Sequence, residues 1–345
     1  MYYQTVQIEV PSSNLDQAIQ SKIDLKTKPV GSLGILERTV FKICRIQNTL
    51  NPSLLQPAVL ICAADHGVVA EGVSPYPQEV TWQMIMNFTG GGAAINVFTS
   101  QHGMNLLVAD AGVNFDFSPS TPILHRKVRK GTRNFVVEPA MTPQECDQAM
   151  RHGAEMVRQL HREGCNTIIF GEMGIGNTTA ATALFCQYSG IAPREVTGAG
   201  TGLTEEGVRH KIEVISRALA RHSEYTDPFD ILCAMGGLEI AMIAGGMLEA
   251  AHHKMVILVD GFIVTSALLA AHALNANILE YCLFTHQSNE RGHRAMIQYL
   301  QGEPMLDLGM RLGEGTGAAV AYPIVVSAVR FMNQMSSFDE AGVSK

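Results

Sequence analysis

The sequence has few positive charges for its length, and this scarcity excludes one large class of function. Its 345 residues carry 25 Lys and Arg against 32 Asp and Glu, which leaves a formal net charge of −7. General nucleic-acid binding needs a positive surface that faces the phosphate backbone. The sequence therefore predicts no nucleic-acid partner, whereas a small anion held by a few placed groups remains compatible with it.

Paired cysteines are also missing. The seven cysteines are scattered, mostly within apolar stretches, and no two of them form a Cys-x-x-Cys motif. The scattered spacing of the seven cysteines is therefore typical neither of a redox motif nor of a common zinc site. We therefore expect all seven cysteines to be reduced, buried and structural.

No segment has the features of a secretion signal or of a transmembrane helix. The N-terminal residues 1–6 have neither the basic nor the apolar region of a secretory signal. Residues 255–274 approach membrane length, but Asp260 and Gly261 interrupt them, so a buried strand followed by a buried helix explains them better. The sequence predicts a cytoplasmic protein with no membrane partner.

What the sequence does contain is a series of short apolar runs that alternate with helical patterns. This alternation favours an α/β fold, with a Rossmann-like parallel sheet of about six strands and helices on both faces. Polar or glycine residues follow each run, and ligands bind beyond the carboxyl ends of such strands, so the strand ends predict one shared site. The candidate strands are residues 58–63, 105–109, 167–170, 230–234, 256–259 and 279–284.

The two ends of the chain show a different pattern. Residues 13–50 have helical spacing around a turn at residues 28–32, and residues 290–335 have further helical segments around a glycine-rich loop. We predict a large α/β domain over residues 55–289. The same patterns predict a small helical subdomain built from residues 1–54 and 290–345.

The most informative stretch is a strand that leads into a glycine-rich turn and then into a helix, over residues 167–184. In α/β folds this arrangement builds a phosphate site at the helix N-terminus. The spacing from Gly171 to Thr178 imitates a P-loop, but Asn177 stands where a P-loop has its lysine. The pattern favours a monophosphate over ATP. The structural alternative is a tight turn whose glycines only allow close packing.

Four further polar segments each have a structural alternative. Residues 65–77 contain Asp, His and Glu without the spacing of a metal site, and a structural or substrate-lining loop explains them better. Residues 90–96 either approach a ligand or cap a helix. Residues 198–202 precede a helix that carries Lys211, which either brings a cation to the phosphate or is solvated. In residues 286–293, His286 and His293 suggest a metal site, but no carboxylate or cysteine completes a recognisable ligand set, so we expect this segment to hydrogen-bond a phosphate or ribose.

Glu314 has an unusual sequence environment. Gly313, Gly315 and Gly317 surround it, and an apolar helix follows. Because glycine loses more conformational entropy on folding than other residues, this is a costly place for a purely structural glutamate. Two roles remain equally open from local physics: a cap of the following helix, or a general base whose pKa is raised by burial.

Taken together, these segments resemble one family, the nicotinate-nucleotide:dimethylbenzimidazole phosphoribosyltransferases, often called CobT. The resembling motifs occur in the same order and cover nearly the whole chain. They are KPVGSLG at 28–34, ADHGV at 64–68, GEMGIGNTT at 171–179, LVDGF at 258–262 and RLGEGTG at 311–317. The resemblance implies a Rossmann-like parallel sheet with a small helical domain, in a homodimer.

The resemblance also implies a reaction. The 5-phosphoribosyl group of nicotinate mononucleotide passes to a benzimidazole-type base, giving α-ribazole 5′-phosphate and nicotinate for the lower ligand of cobamides. Glu314 matches the family's catalytic glutamate, a general base, and Glu172 matches a second carboxylate near the reacting centre. No cofactor and no metal are implied. The residues at positions that hold phosphate and ribose are Gly174, Gly176, Asn177, Thr178, Lys211 and Ser288.

The acceptor side departs from the family pattern. Where better-known members have a serine and a glutamine beside the acceptor base, this chain has Tyr76 and Met84, and Pro77 lies next to Tyr76. An aromatic ring and a thioether favour flat apolar rings. Adenine, benzimidazoles and phenols therefore all remain candidate acceptors.

Two functions from other classes compete with a transferase. A non-catalytic nucleotide-binding protein is disfavoured because both Glu172 and Glu314 are present. A P-loop hydrolase or kinase is disfavoured because Asn177 replaces the lysine and no evident carboxylate pair for Mg²⁺ occurs.

Overall fold

The computed structural model describes residues 1–200 and 202–344, over which the chain forms six strands and fourteen α-helices. The strands are β1 Ala58–Ala64, β2 Asn105–Gly112, β3 Leu124–His125, β4 Thr167–Met173, β5 Val256–Val259 and β6 Cys282–Phe284. The helices are α1 Asp16–Asp24, α2 Ile35–Gln47, α3 Val80–Thr89, α4 Ala94–His102, α5 Pro143–Arg162, α6 Asn177–Ser189, α7 Pro193–Val196, α8 Glu205–Arg221, α9 Pro228–Met235, α10 Leu238–His252, α11 Phe262–Leu274, α12 His293–Tyr299, α13 Thr316–Gln334 and α14 Phe338–Ala341.

The six strands form one parallel sheet in the order β3-β2-β1-β4-β5-β6. This order confirms the predicted Rossmann-like fold. Every residue of β1 and β5 is buried, which is why these strands read as continuous apolar runs in the sequence. The winding direction reverses between β1 and β4, and ligands of open α/β sheets bind at the carboxyl ends of the strands beside such a reversal.

Helices cover both faces of the sheet, as the alternation of side chains along β4 shows. A Cβ atom on Gly246 of α10 would lie 2.8 Å from the ring of Phe170. A Cβ atom on Gly315, just before α13, would lie 3.2 Å from Cγ2 of Ile169. Successive side chains of a strand point to opposite faces. Helix α10 and helix α13 therefore lie on opposite sides of the sheet.

The predicted strand at residues 230–234 is wrong. This apolar run belongs to helix α9, whose first turn is capped by Asp227, because its side chain accepts hydrogen bonds from the N–H groups of Phe229 and Asp230. An apolar run alone does not distinguish a buried strand from a buried helix. The Asp-Pro start at Asp227 and Pro228 was the helix signal. The sixth strand is β3, only two residues long.

The run predicted at residues 279–284 is a strand only in its second half. Residues Ala276–Tyr281 form a 3-10 helix, and β6 begins at Cys282.

A second apolar cluster joins the two ends of the chain. Side chains of α1, α2 and α13 form it, separately from the main core around the sheet. Tyr2 and Ile8 of the N-terminal segment, however, belong to the main core, and the division into two domains stays a prediction. The cluster consists of Ile19, Ile23, Val40, Cys44, Ala328 and Met332.

The cysteine prediction is confirmed, because all seven cysteines are buried and none forms a disulfide. Within residues 1–200 and 202–344, no helix is both long and apolar enough to cross a membrane.

Candidate active site

A cavity lies at the carboxyl ends of β4, β5 and β6. Glu172 borders it from the end of β4, Asp260 from the residue after β5, and Ser288 from the loop after β6. The loop before α13 closes the opposite side with Glu314. Three of the predicted strand ends therefore meet at one site, together with the glycine-rich loop that the sequence singled out.

The glycine-rich turn brings the N-terminus of α6 to this cavity. Gly174 packs so tightly that a Cβ atom there would lie 2.3 Å from the carbonyl oxygen of Ala64. Gly176 has φ of +95°, a region that favours glycine, and is the N-cap of α6. The glycines therefore allow the close packing of the turn that the structural interpretation expects. Asn177 and Thr178 open the helix and line the cavity, where a helix N-terminus favours an anion.

Lys211 brings a cation to the same turn from helix α8. Its side chain is only 1% exposed, and its Nζ donates a hydrogen bond of 2.7 Å to Oγ1 of Thr178. The solvated alternative for this lysine is therefore wrong. Burial lowers the pKa of Lys211 to about 8, while Glu290 favours its charged form. A phosphate at the helix N-terminus would add a second negative partner for Lys211.

Ser288 is held by a buried histidine. The N–H of Ser288 donates to Nδ1 of His293 at 2.8 Å, and Nε2 of His293 lies 2.9 Å from Oγ1 of Thr265. Because the Thr265 hydroxyl donates to the carbonyl of Gly261, we assign the His293 proton to Nε2. Burial, together with nearby His286, lowers the pKa of His293 to about 3. His293 is therefore neutral and fixes the loop after β6.

Glu172 is a buried carboxylate at the end of β4. The side-chain amide of Asn177 donates a hydrogen bond to its Oε2. Burial raises the pKa of Glu172 to about 8, and the charges of Glu239 and Asp260 raise it too. The structure thus combines Glu172 and the phosphate turn in one hydrogen-bonded unit.

Glu314 has a backbone conformation that favours glycine. Its φ is +64°, between Gly313 at +85° and Gly315 at +82°. The loop lies directly on β4, because a Cβ atom on Gly171 would be 2.5 Å from the carbonyl oxygen of Glu314. A non-glycine residue in this region costs on the order of 1 kcal/mol. Unlike Asn48, which has a similar φ at the C-terminal end of α2, Glu314 has this conformation in a loop that borders the cavity.

The Glu314 side chain points into the cavity region without a partner. It is 5% exposed, and within the described part of the chain no group donates to its Oε2. Burial raises the pKa of Glu314 to about 7, and Asp260 adds to this effect. The alternative of a helix cap is wrong, because Asp260 and not Glu314 accepts the 2.9 Å hydrogen bond from the N–H of Ala318 in α13.

The two predicted catalytic carboxylates lie close together. A Cβ atom on Gly313 would lie only 2.2 Å from Oε1 of Glu172, so the Glu314 loop contacts the Glu172 side chain. Asp260, which in the sequence only interrupts the apolar run 255–274, influences both carboxylates. Its role was not readable from the sequence because its partner Ala318 is 58 residues away.

The predicted acceptor residues do not line this cavity, as far as residues 1–200 and 202–344 describe it. Tyr76 is 49% exposed, Pro77 is exposed and Met84 is half-buried. Tyr76 and Pro77 lie in the loop that precedes α3, and Met84 lies within α3. That helix contacts the phosphate turn, because the N–H of Ile175 donates to Oγ1 of Thr81 at 3.1 Å. Their role as an acceptor pocket stays a prediction.

In the predicted glycine segment 198–202, Thr201 lies outside the described residues. Gly200 borders the cavity, and a Cβ atom there would lie 3.1 Å from Oγ1 of Thr178. The same Cβ atom would lie 3.4 Å from Nζ of Lys211, so Gly200 approaches the phosphate turn beside Lys211.

Comparison with known proteins agrees with this geometry. A family model described as phosphoribosyltransferase matches residues 8–343. The α/β fold and the nucleotide-type site thus belong to an enzyme of the phosphoribosyltransferase class.

Curated relatives narrow this class. A nicotinate-nucleotide–dimethylbenzimidazole phosphoribosyltransferase from Dechloromonas aromatica is 51% identical over 341 residues, which are 98% of each chain. The protein of the same name from Bacteroides fragilis is 46% identical over 99% of each chain. The crystal structure of CobT from Thermus thermophilus has a TM-score of 0.93 and 42% identity, covering 96% of this chain and 99% of that one. The chain belongs to the nicotinate-nucleotide–dimethylbenzimidazole phosphoribosyltransferase family.

Proposed function

We propose that this enzyme transfers the 5-phosphoribosyl group of nicotinate mononucleotide to a benzimidazole-type base. The products are α-ribazole 5′-phosphate and nicotinate, and the former supplies the lower ligand of cobamides. The names of the relatives support this choice of substrates. The observation that carries it is Glu314, an unpartnered carboxylate in a left-handed conformation beside Glu172.

The phosphate of the mononucleotide binds at the start of α6. The helix N-terminus supplies a positive partial charge, and Lys211 supplies a full one beside Thr178. Ser288 closes this subsite from the loop after β6. Gly174, Gly176 and the adjoining Asn177 leave room for the phosphate and ribose to approach the backbone. The absence of a P-loop lysine at position 177 explains the preference for a monophosphate.

Glu314 is the general base of the transfer. It takes the N–H proton of the incoming base, so that the other ring nitrogen attacks C1′ of the ribose. A pKa of about 7 keeps a substantial fraction of Glu314 ionised at neutral pH and makes it a stronger base than an exposed glutamate. The nicotinate leaving group is already a pyridinium, so its departure needs no acid. Attack from the opposite face converts the β-riboside into an α-riboside without a covalent intermediate.

Glu172 stabilises the positive charge that develops on the ribose and the base. In the free enzyme its raised pKa favours the neutral form. A cationic pyridinium riboside brought next to Glu172 favours the ionised carboxylate, because an opposite charge lowers a carboxyl pKa.

The acceptor base binds on the side of the loop before α3, near Tyr76, Pro77 and Met84. An aromatic and a thioether group select flat rings by stacking, so dimethylbenzimidazole, other benzimidazoles, adenine and phenols are the bases to compare. We also propose that the enzyme works as a homodimer in the cytoplasm.

The direct test is incubation with nicotinate mononucleotide and an equimolar mixture of these bases, followed by mass spectrometry of the products. We expect base-linked ribose phosphates and free nicotinate in equal amounts, with α configuration at C1′ by NMR. Release of ribose 5-phosphate without consumption of any base would indicate a hydrolase. Tight binding of the mononucleotide without any product would indicate a binding protein.

A further inference from the structure

The imidazole of His286 lies in the wall of the cavity and has no part in the mechanism above. His286 is the second residue after β6, and it is only 4% exposed. Its Nε2 lies 3.5 Å from Oδ1 of Asp260, which is longer than an ordinary hydrogen bond. Among the described residues, no group forms a hydrogen bond with its Nδ1. An unpaired polar atom in a buried side chain is unfavourable and calls for an explanation.

Two glycines leave room for this ring. A Cβ atom on Gly317, in the first turn of α13, would lie 2.0 Å from Cδ2 and 2.1 Å from Nε2 of His286. A Cβ atom on Gly261, the second residue after β5, would lie 3.5 Å from Nε2. Any larger residue at position 317 would displace the imidazole. The Nε2 edge of the ring therefore packs against α13 and Asp260, and Nδ1 is on the opposite edge.

His286 lies between the two ends of the proposed mononucleotide site. The Cβ atom on Gly261 that would approach His286 would also lie 3.7 Å from Cβ of Ser288, at the phosphate end. Gly317, which packs against the ring, is only three residues after Glu314, the proposed general base. The ribose joins the 5′-phosphate to C1′, so it has to lie between these two ends. The imidazole of His286 is therefore placed beside the ribose.

A ribose hydroxyl is a chemical group that suits an unpaired imidazole nitrogen. A hydroxyl both donates and accepts hydrogen bonds, so it pairs with Nδ1 whether or not this nitrogen carries a proton. Two neighbouring polar side chains already hold backbone groups. Oδ1 of Asp260 accepts from the N–H of Ala318 at 2.9 Å, and Oγ of Ser288 accepts from the N–H of Glu290 at 3.3 Å. Nδ1 of His286 is available for the substrate.

We propose that Nδ1 of His286 hydrogen-bonds the cis-diol of the ribose, and that this contact makes the enzyme select a ribonucleotide over a deoxyribonucleotide. A deoxy substrate would leave the buried nitrogen unpaired in the complex. A site built around a hydroxyl rejects an analogue without it for this reason. Asp260 and the two glycines hold the ring in position. This inference rests on the proposed function, because it deepens the recognition of the mononucleotide donor.

The test compares the binding of three ligands. Nicotinate mononucleotide and its 2′-deoxy and 3′-deoxy derivatives are titrated by calorimetry without an acceptor base, so that no transfer occurs. The deoxy penalty is the dissociation constant of a derivative divided by that of nicotinate mononucleotide. We expect a penalty on the order of tenfold in the wild type for at least one derivative, as the loss of one hydrogen bond gives. Equal affinities for all three ligands would overturn the proposal.

His286→Asn and His286→Leu form a matched pair of variants. Both side chains have the same branched shape and remove the same part of the ring, but only asparagine keeps a polar atom near the position of Nδ1. We expect the deoxy penalty to persist in His286→Asn and to disappear in His286→Leu. The penalty compares two ligands in the same protein, so a partial loss of folded protein does not change it. A penalty that is as large in His286→Leu as in the wild type, or that is lost in both variants, would overturn the hydrogen bond.

Failure of the proposed reaction gives a different result from failure of this inference. If the wild type shows the deoxy penalty but forms no product with any base, the transfer is wrong and the contact of His286 stands. If the wild type forms product but binds the deoxy derivatives as tightly as the ribonucleotide, only the role of His286 is wrong. If the wild type does not bind nicotinate mononucleotide, both are wrong.

Discussion

At the scale of single residues, the site depends on carboxyl groups whose burial or backbone conformation costs free energy. Glu314 has both a left-handed backbone and an Oε2 without a donor among the described residues. The sequence predicted its importance because a glutamate between glycines is locally unexpected. It left the choice between cap and base open, because that choice depends on Asp260, which reaches α13 across the fold.

We predict that Glu314→Gln lowers kcat on the order of 100-fold or more, as the loss of a general base does. KM for nicotinate mononucleotide should change little, because the phosphate subsite lies on α6 and α8 and not on the Glu314 loop. Steady-state kinetics with a saturating base measures both constants. Near wild-type turnover would remove Glu314 from the mechanism.

The pH dependence gives a second test of the same residue. Because the base must be ionised and its pKa is raised to about 7, activity should increase with pH through that region. In Asp260→Asn the increase should move to lower pH, since a negative charge near Glu314 is removed while the amide oxygen still accepts from Ala318. A rate profile over pH 5 to about 9 measures the shift. A profile that does not move would contradict the assignment of Glu314.

At the scale of elements, local signals predicted the β4–turn–α6 unit but not the position of helices that arrive from elsewhere. A strand, a glycine turn and small helical residues are adjacent in the chain, so their arrangement is readable from sequence. The burial of Lys211 is not, because it depends on how α8 docks against Thr178. The predicted strand at 230–234 was wrong for a related reason, since burial makes helix α9 apolar at every position from Ile231 to Met235.

We predict that Lys211→Met weakens the binding of nicotinate mononucleotide on the order of tenfold to 100-fold, because a charge-assisted contact to the phosphate is lost. Methionine fills a similar volume, so the fold should be retained. Arg221→Met, at the exposed end of the same helix, is the control and should bind normally. Calorimetric titration measures both. Equal affinity in the two variants would show that Lys211 does not contact the phosphate.

The prediction on acceptor choice concerns the loop before α3, which carries Tyr76, and the helix α3, which carries Met84. The double variant Tyr76→Ser with Met84→Gln should alter the ratio of kcat/KM among competing bases, because stacking surface is exchanged for edge hydrogen bonds. The apparent affinity for nicotinate mononucleotide should stay the same, since neither residue borders the cavity around Glu172. A mixed-base competition assay with an unchanged product ratio would show that these side chains do not select the base.

At the scale of the whole molecule, the acidic site lowers the stability of the fold. The pKa of Glu172 is raised from an ordinary 4.5 to about 8 in the folded chain, mainly by burial. Between these two pH values the unfolded chain loses the proton while the folded chain keeps it. The folded state binds more protons, so its stability must decrease as pH rises through this interval. Glu249 has the opposite effect: burial would raise its pKa, but hydrogen bonds from Tyr2 and Arg158 hold that pKa below its ordinary value.

Because the pKa values of these two buried glutamates are shifted in opposite directions, replacing each by glutamine should change the stability of the fold in opposite directions. At pH 8, Glu172→Gln should raise the free energy of unfolding, on the order of 4 kcal/mol, because the unfolded chain then no longer gains free energy by ionising a carboxyl group that the folded chain keeps largely protonated. Glu249→Gln should lower it, because an ionised group that is paired with Arg158 in the folded state is lost. Near pH 4.5 the gain in Glu172→Gln should disappear, since the carboxyl group is then protonated in the folded chain. Urea unfolding at the two pH values measures these differences. If Glu172→Gln were less stable than the wild type at pH 8, the Glu172 carboxyl group would be stabilising the fold and would not be held there at a cost for the reaction.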